Sequence, residues 1–244
     1  MKVGLFIPCY VDQFYPQVGI AVLEVLEKLN IEVAYPLQQT CCGQPMANAG
    51  FSHLTHDNDA LFVRNFSGFD YIVSPSGSCV LHIKEHLHDK AHAEEALKIR
   101  SRIMEFTEFL TDVVQLSTVD AIFNHRVALH QGCHGQRGLH LSQMSELVAP
   151  PFSKSVYLLK KVSGLELVNL DRPDECCGFG GTFCVSEEAV SVKMGKDRVA
   201  DYTRHEAEVL TGSDMSCLMH LEGILRRQGR PVKVMHIAEI LNAR

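Results

Sequence analysis

Eight of the nine cysteines in this chain fall into two matching sets, and that repetition constrains the fold more than any other feature. Cys9, the pair Cys41-Cys42 ahead of Gly43, and Cys79 make the first set. Cys133, the pair Cys176-Cys177 ahead of Gly178, and Cys217 make the second. The flanks repeat as well. Val3-Gly-Leu-Phe-Ile-Pro-Cys9 aligns with Val127-Ala-Leu-His-Gln-Gly-Cys133, and Ser76-Gly-Ser-Cys-Val-Leu-His82 with Asp214-Met-Ser-Cys-Leu-Met-His220. Ile103-Met-Glu-Phe-Thr-Glu-Phe-Leu110 aligns with Val234-Met-His-Ile-Ala-Glu-Ile-Leu241. Landmarks kept in one order imply an internal duplication. One repeat covers residues 1–120 and the other 121–244. No Gly/Pro-rich linker marks the junction near 118–125, so the halves are expected to pack closely.

Each half reads as strand, cysteine, helix, strand, Cys-Cys-Gly, helix, strand, cysteine, helix. In the first, Val3–Ile7 is a strand, and Ile20, Leu23, Leu26 and Leu29 give one face of a helix. Glu32–Tyr35 is a strand, a long helix follows with Phe51, Leu54, Leu61 and Phe62 on its apolar side, and Asp70–Val73 is a short buried strand. In the second, Val156, Leu159 and Val162 lie on a helix stopped near Gly164, and Leu165–Leu170 is a strand. Ser186 is a candidate N-cap and Glu208–Leu210 the next strand. Alternation of this kind predicts an α/β fold of two duplicated Rossmann-like halves, with mainly parallel sheets, related by pseudo-symmetry. Ligands in such folds gather at the carboxyl ends of strands, where every cysteine of the two sets is placed.

Composition narrows the partners. A net charge of −6 leaves no broad cationic surface for nucleic acid. No stretch approaches the ~20 apolar residues of a membrane helix. The apolar run after Lys2 is cut by Pro8, too short for a secretory signal, so the expected location is cytoplasmic. Nine thiols without an export signal point to metal or redox chemistry rather than a disulfide framework. Four thiolates hold either an iron–sulfur cluster or zinc. Adjacent side chains diverge from the backbone, so the Cys-Cys pairs suit two irons better than two corners of one zinc tetrahedron, although spacing alone does not separate the metals.

The doubled Cys…Cys-Cys-Gly…Cys pattern resembles the cysteine-rich CCG domain, found in heterodisulfide reductase and in iron–sulfur subunits of glycolate- and glycerol-3-phosphate-oxidising systems. Cys41-Cys-Gly-Gln-Pro45, Pro75-Ser-Gly-Ser-Cys79, Cys176-Cys-Gly-Phe-Gly-Gly-Thr-Phe183 and Asp214–His220 look most like the family members that serve lactate utilization. The resemblance implies an electron-carrying subunit, working with iron–sulfur and accessory subunits of a complex that oxidises L-lactate to pyruvate. The wider family motif ends in Cys-x-x-Cys, but the first of that pair is Ser76 in one half and Asp214 in the other. With four thiols per half, the five-cysteine non-cubane cluster of heterodisulfide reductase is disfavoured. The simpler expectation is one [4Fe–4S] cluster on Cys9, Cys41, Cys42 and Cys79 and another on Cys133, Cys176, Cys177 and Cys217, with Ser76 or Asp214 still open as an oxygen ligand. A heterodisulfide-type thiol–disulfide oxidoreductase and a structural zinc module are the alternatives.

Other signals have plainer readings. Cys184 has no counterpart and reads as a thiol outside both sets. His82 and His220 recur three residues after the last cysteine of each set, either as satisfied helix histidines or as donors to cluster sulfur. His130 and His134 flank Cys133 without a match beside Cys9, which lowers their standing. His86, His88 and His92 read as a solvated face. Gly178-Phe-Gly-Gly-Thr lacks dinucleotide spacing, and its glycines read as room for backbone amides to approach sulfur. No nucleophile–base pair marks a catalytic residue.

Overall fold

The computed structural model describes residues 1–244. The first half runs β1 (Lys2–Leu5), α1 (Cys9–Phe14), α2 (Pro16–Lys28), β2 (Glu32–Ala34), α3 (Gln44–Asn48), α4 (His56–Phe66), β3 (Tyr71–Ser74), α5 (Gly77–His86), α6 (Ala93–Arg102), β4 (Ile103–Glu105) and α7 (Phe106–Glu108). The second runs β5 (Arg126–His130), α8 (Lys154–Leu159), β6 (Glu166–Leu167), α9 (Phe183–Ser186), α10 (Glu188–Arg204), β7 (Val209–Gly212), α11 (Met215–Arg227), β8 (Lys233–His236) and α12 (Ile237–Leu241). Their sheets share one topology, β2-β1-β3-β4 and β6-β5-β7-β8, and every strand pair is parallel. The α/β duplication expected from the cysteines is therefore the architecture. The inner strands β1, β3, β5 and β7 are near-continuous buried runs, because helices cover both faces of a parallel sheet. No helix is long and apolar enough to cross a membrane.

The halves share a core. One cluster of buried side chains joins Val3, Leu5, Val22 and Leu26 to Val127, Leu210, Leu218 and Ile240. It forms because α2 packs on α12, α1 on α11 and α7 on α8 across the junction. A smaller cluster under the first sheet is built on Phe6, Phe62 and Phe66, with Phe6 edge-on to Phe62 at 4.9 Å.

Three local expectations need correction. The buried face of α2 is Val18, Ala21, Val22, Val25 and Leu26, and Ile20 points to solvent. Helical period 3.6 selects that stripe, whereas a run spaced by three drifts off the face. The long helix after Gly43 is broken: α3 stops at Asn48, a short turn spans Ser52–Leu54, and α4 begins at His56, leaving Phe51 and Leu54 exposed. Ser186 ends α9 instead of capping α10, whose cap is Glu187.

Matching helices carry matching caps. Glu105 with Glu108, and His236 with Glu239, form capping boxes on α7 and α12. Glu105 is fully buried; one carboxylate oxygen takes the amides of Thr107 and Glu108, and the other has no partner. Burial pushes its carboxyl up to about 8 from an ordinary 4.5. The folded chain thus holds this proton more tightly than the unfolded chain. Its contribution is fully present below the unfolded value and is lost as pH rises toward 8. Glu105→Gln should remove that loss, so its stability relative to the parent improves from pH 5 to pH 8, by at most ~1.4 kcal/mol per unit. Denaturant midpoints of the two proteins across that range check this; a constant difference would refute it.

Candidate metal centre

Six loops at the carboxyl ends of β1, β2, β3, β5, β6 and β7 carry the eight paired cysteines. Cys9 opens α1, and Cys133 precedes a wide helical turn at His134–Gly138. Cys79 and Cys217 each take the third position of a helix, α5 and α11, where unpaired backbone amides favour anions. The Cys-Cys-Gly glycines have nearly the same left-handed backbone, φ +87° at Gly43 and +86° at Gly178. That turn aims the Gly43 amide at Cys41 Sγ and the Gly178 amide at Cys176 Sγ, both at 3.4 Å. A Cβ at Gly178 would also lie 2.6 Å from the Ser191 carbonyl oxygen, so glycine is required twice over.

Within each half the sulfurs form a row. Cys9 Sγ lies 3.7 Å from Cys41 Sγ, Cys41 contacts Cys42, and Cys42 Sγ lies 3.3 Å from Cys79 Sγ. The second row runs Cys133, Cys176, Cys177, Cys217 through the same contacts. Position in the row sets proton affinity. Cys41, receiving S–H donors from Cys42 and Cys9, is held well below the ordinary thiol value, and Cys176 likewise between Cys133 and Cys177. Cys9, Cys42, Cys133 and Cys177, which supply those donors and are also desolvated, are pushed up. Thiols packed this way are a donor set that suits a cation or cluster.

Both rows line one cavity of about 420 Å³ between the halves. Cys42, Cys79 and Cys177 are buried at its floor, while Cys9, Cys41, Cys133, Cys176 and Cys217 are half-buried. Asp214 is its only carboxylate and His134 its only imidazole, and it has no lysine or arginine.

Ser76 and Asp214 meet at the seam in an antiparallel bridge. Ser76 Oγ accepts the Cys79 amide and contacts Ser78 Oγ at 3.2 Å. Asp214 Oδ1 accepts from Ser216, and Oδ2 accepts the Ser78 amide of the other half at 2.8 Å. The oxygens left open as ligands are thus committed to capping α5 and α11 and to stitching the halves together.

The remaining candidates separate clearly. Cys184 Sγ donates to the Gly181 carbonyl at 3.0 Å, inside its own turn and outside both rows. His82 is buried and, through desolvation and then His86, is pushed down to about 4. With His53, His56, His86, His88 and Asp59 it lines a second hollow of about 510 Å³. His86 and His88 are exposed there, while His92 pairs with Asp89 at 2.9 Å. His220 packs near the backbone of Ser191 and Cys177.

His130 carries more weight than its lack of a matching histidine beside Cys9 suggests. It is buried, and one ring nitrogen lies within 4.8 Å of the sulfurs of both Cys177 and Cys217. Nδ1 is engaged by Tyr202 Oη at 3.0 Å and Arg198 Nε at 3.5 Å; Nε2 has no partner. The aligned position in the first half is Phe6. A histidine replacing phenylalanine in a strand buried on both faces was the available signal.

Comparison with known proteins agrees with this geometry. The cysteine-rich CCG domain matches twice, over residues 3–84 and 127–222. Lactate utilization protein A of Geobacillus kaustophilus is 40% identical over 248 residues, covering 100% of both chains. The protein of that name from Halalkalibacterium halodurans is 40% identical over 246 residues, covering 99% of this chain and 97% of its own. Among solved structures, a hypothetical protein from Helicobacter pylori superposes with a TM-score of 0.62 at 12% identity, a likeness of fold alone. That match covers 98% of this chain, which spans about half (48%) of the solved one.

Proposed function

The chain belongs to the cysteine-rich CCG family and carries its domain twice; from that premise we propose that it binds one iron–sulfur cluster per repeat and conducts electrons in a complex that oxidises L-lactate. The observation that carries this reading is the placement of eight thiols, in two like rows, around one cavity. Zinc fills the centre of its own ligands in a closed site and calls for no such space. Cys9, Cys41, Cys42 and Cys79 would hold one [4Fe–4S] cluster, and Cys133, Cys176, Cys177 and Cys217 the other. Such clusters exchange single electrons. The Gly43, Gly178 and Phe179 amides then serve as N–H donors to ligand sulfur. The buried floor thiols keep water from the inner side of each site. Residues 1–120 and 121–244 are the two repeats, each bringing one row.

A zinc module is the second reading, favoured by sulfurs 3.3–3.7 Å apart, close enough to share one ion. Thiol–disulfide chemistry of the heterodisulfide type has less support, because Ser76 and Asp214 stand where a fifth thiol would be and are otherwise bonded.

The cavity holds no cationic side chain for a substrate carboxylate, and its one carboxylate is fully hydrogen-bonded. Oxidation of a hydroxy acid needs a base, which the exposed His134 of the lining would offer. It also needs a cation to hold the carboxylate and an acceptor for a hydride equivalent, and the lining supplies neither of these. The isolated chain, loaded with iron and sulfide, should therefore be redox-active but show negligible lactate oxidation, with turnover appearing when partner subunits are added. Anaerobic iron, sulfide and zinc analysis, followed by assays with an artificial acceptor on chain and complex, tests both points. Stoichiometric zinc without sulfide would refute the cluster reading, and substantial turnover by the chain alone would refute the division of labour.

A further inference from the structure

The two thiol rows are alike in sequence order but not in the hydrogen-bond donors that surround them. In the first row, two backbone amides reach a sulfur, Gly43 to Cys41 and Tyr10 to Cys9. In the second, two do as well, Gly178 to Cys176 and Phe179 to Cys177, each at 3.4 Å. What differs is His130, a buried imidazole beside the second row with no counterpart in the first. Arg198 Nε carries only a proton to give, so His130 Nδ1 must accept, and the ring proton of the neutral imidazole then sits on Nε2. Nε2 is the nitrogen without a partner, in a ring poised within 4.8 Å of Cys177 and Cys217 sulfur. A protonated Nε2 has no lone pair for a metal, so His130 offers this row an unspent N–H and not a ligand.

The surroundings hold that orientation. Tyr202 and Arg198 come from α10 and are fully buried, and Arg198 stacks over the Tyr202 ring at 4.7 Å. In the first half, the equivalent helix α4 supplies Phe62 and Phe66 against Phe6, an entirely apolar contact. The imidazole and its two supports therefore replace three phenylalanine rings beneath otherwise matching strands.

Hydrogen bonds to cluster sulfur disperse negative charge and favour the reduced form, raising the potential. On the cluster reading above, we infer that the chain is polarised: the Cys133–Cys217 row, with His130 as its positioning donor, is the higher-potential site, where electrons entering the chain collect. The step is one electron passing from a reduced cluster on the first row to an oxidised one on the second, with no bond made or broken and no proton moved.

Potentiometric titration of the cluster-loaded chain, followed by electron paramagnetic resonance, reads this directly. Two one-electron waves are expected. Cys42→Ser, which disables the first row, should delete the lower wave and keep the higher. His130→Phe should lower the higher wave by tenfold or more in the one-electron equilibrium, about 59 mV, and leave the lower in place. His130→Gln, which retains an N–H donor, should recover part of that shift. Should His130→Phe fail to hold its second cluster, Tyr202→Phe, which removes the hydroxyl orienting the ring, should shift the same wave in the same direction. Equal potentials, or survival of the lower wave in Cys42→Ser, would overturn the polarity alone. Failure to bind iron and sulfide at all would overturn the cluster reading and this inference together.

Discussion

Cys177→Ser should lose about half of the iron and sulfide that the parent chain takes up on anaerobic reconstitution, whereas Cys184→Ser should lose none. Cys177 is 3% exposed, touches Cys176 and Cys217, and accepts the Phe179 amide. Serine in its place offers a harder, less acidic oxygen at the centre of the row, so the remaining three thiols must hold a whole cluster. Cys184 is only a few residues further on, yet its sulfur is spent on the Gly181 carbonyl. The two variants thus separate position in the row from mere proximity in sequence. Equal losses in both would mean that the second row is drawn with the wrong members.

Arg198→Ala should lower the melting temperature by about 6–20 °C, taking 3–5 kcal/mol as a rough cost for stranding a buried charge and about 2–4 °C per kcal/mol at this chain length. Arg198 is entirely buried. Its guanidinium serves Asp201 at 3.2 Å, the Arg172 and Pro173 carbonyls and His130 at once. Asp201, 1% exposed, would keep the Asp171 and Arg172 amides and the His205 imidazole at 3.5 Å but lose its guanidinium, and two carbonyls would lose their donor. Asp201→Asn combined with Arg198→Ala should recover part of the loss, since the stranded charge is then gone. Thermal unfolding of the three variants measures this, and a fall below about 2 °C in the single variant would show that the pocket relaxes around the lost group.

The duplication, the alternation of strands and helices and the gathering of thiols at strand ends were readable in the chain because they follow from spacing and from the chemistry of parallel sheets. Helix faces were less so. Val18 and Val22, and not Ile20, face inward because α12 packs on α2 from the far end of the sequence. The break between α3 and α4 depends on how that segment wraps the first thiol row, and apolar periodicity does not encode it. Ser76 and Asp214 were legible as missing cysteines but not as the stitch between halves, because a cap that reaches across a pseudo-dyad has no local signature. His130 was visible only as an asymmetry between aligned strands. Its meaning came from Tyr202 and Arg198, more than sixty residues away.

One opening shared by two rows has a biosynthetic consequence. Cys9, Cys41, Cys133 and Cys176 stand nearer solvent, with Cys42, Cys79 and Cys177 behind them, so both rows are reached from a common mouth. Whatever fills one row arrives by the route that fills the other. On the cluster reading proposed above, a docking subunit that sealed the mouth too soon would trap two empty rows, so cofactor delivery would have to precede complex formation. An oxidant that entered the uncovered mouth would meet the thiols of both rows together.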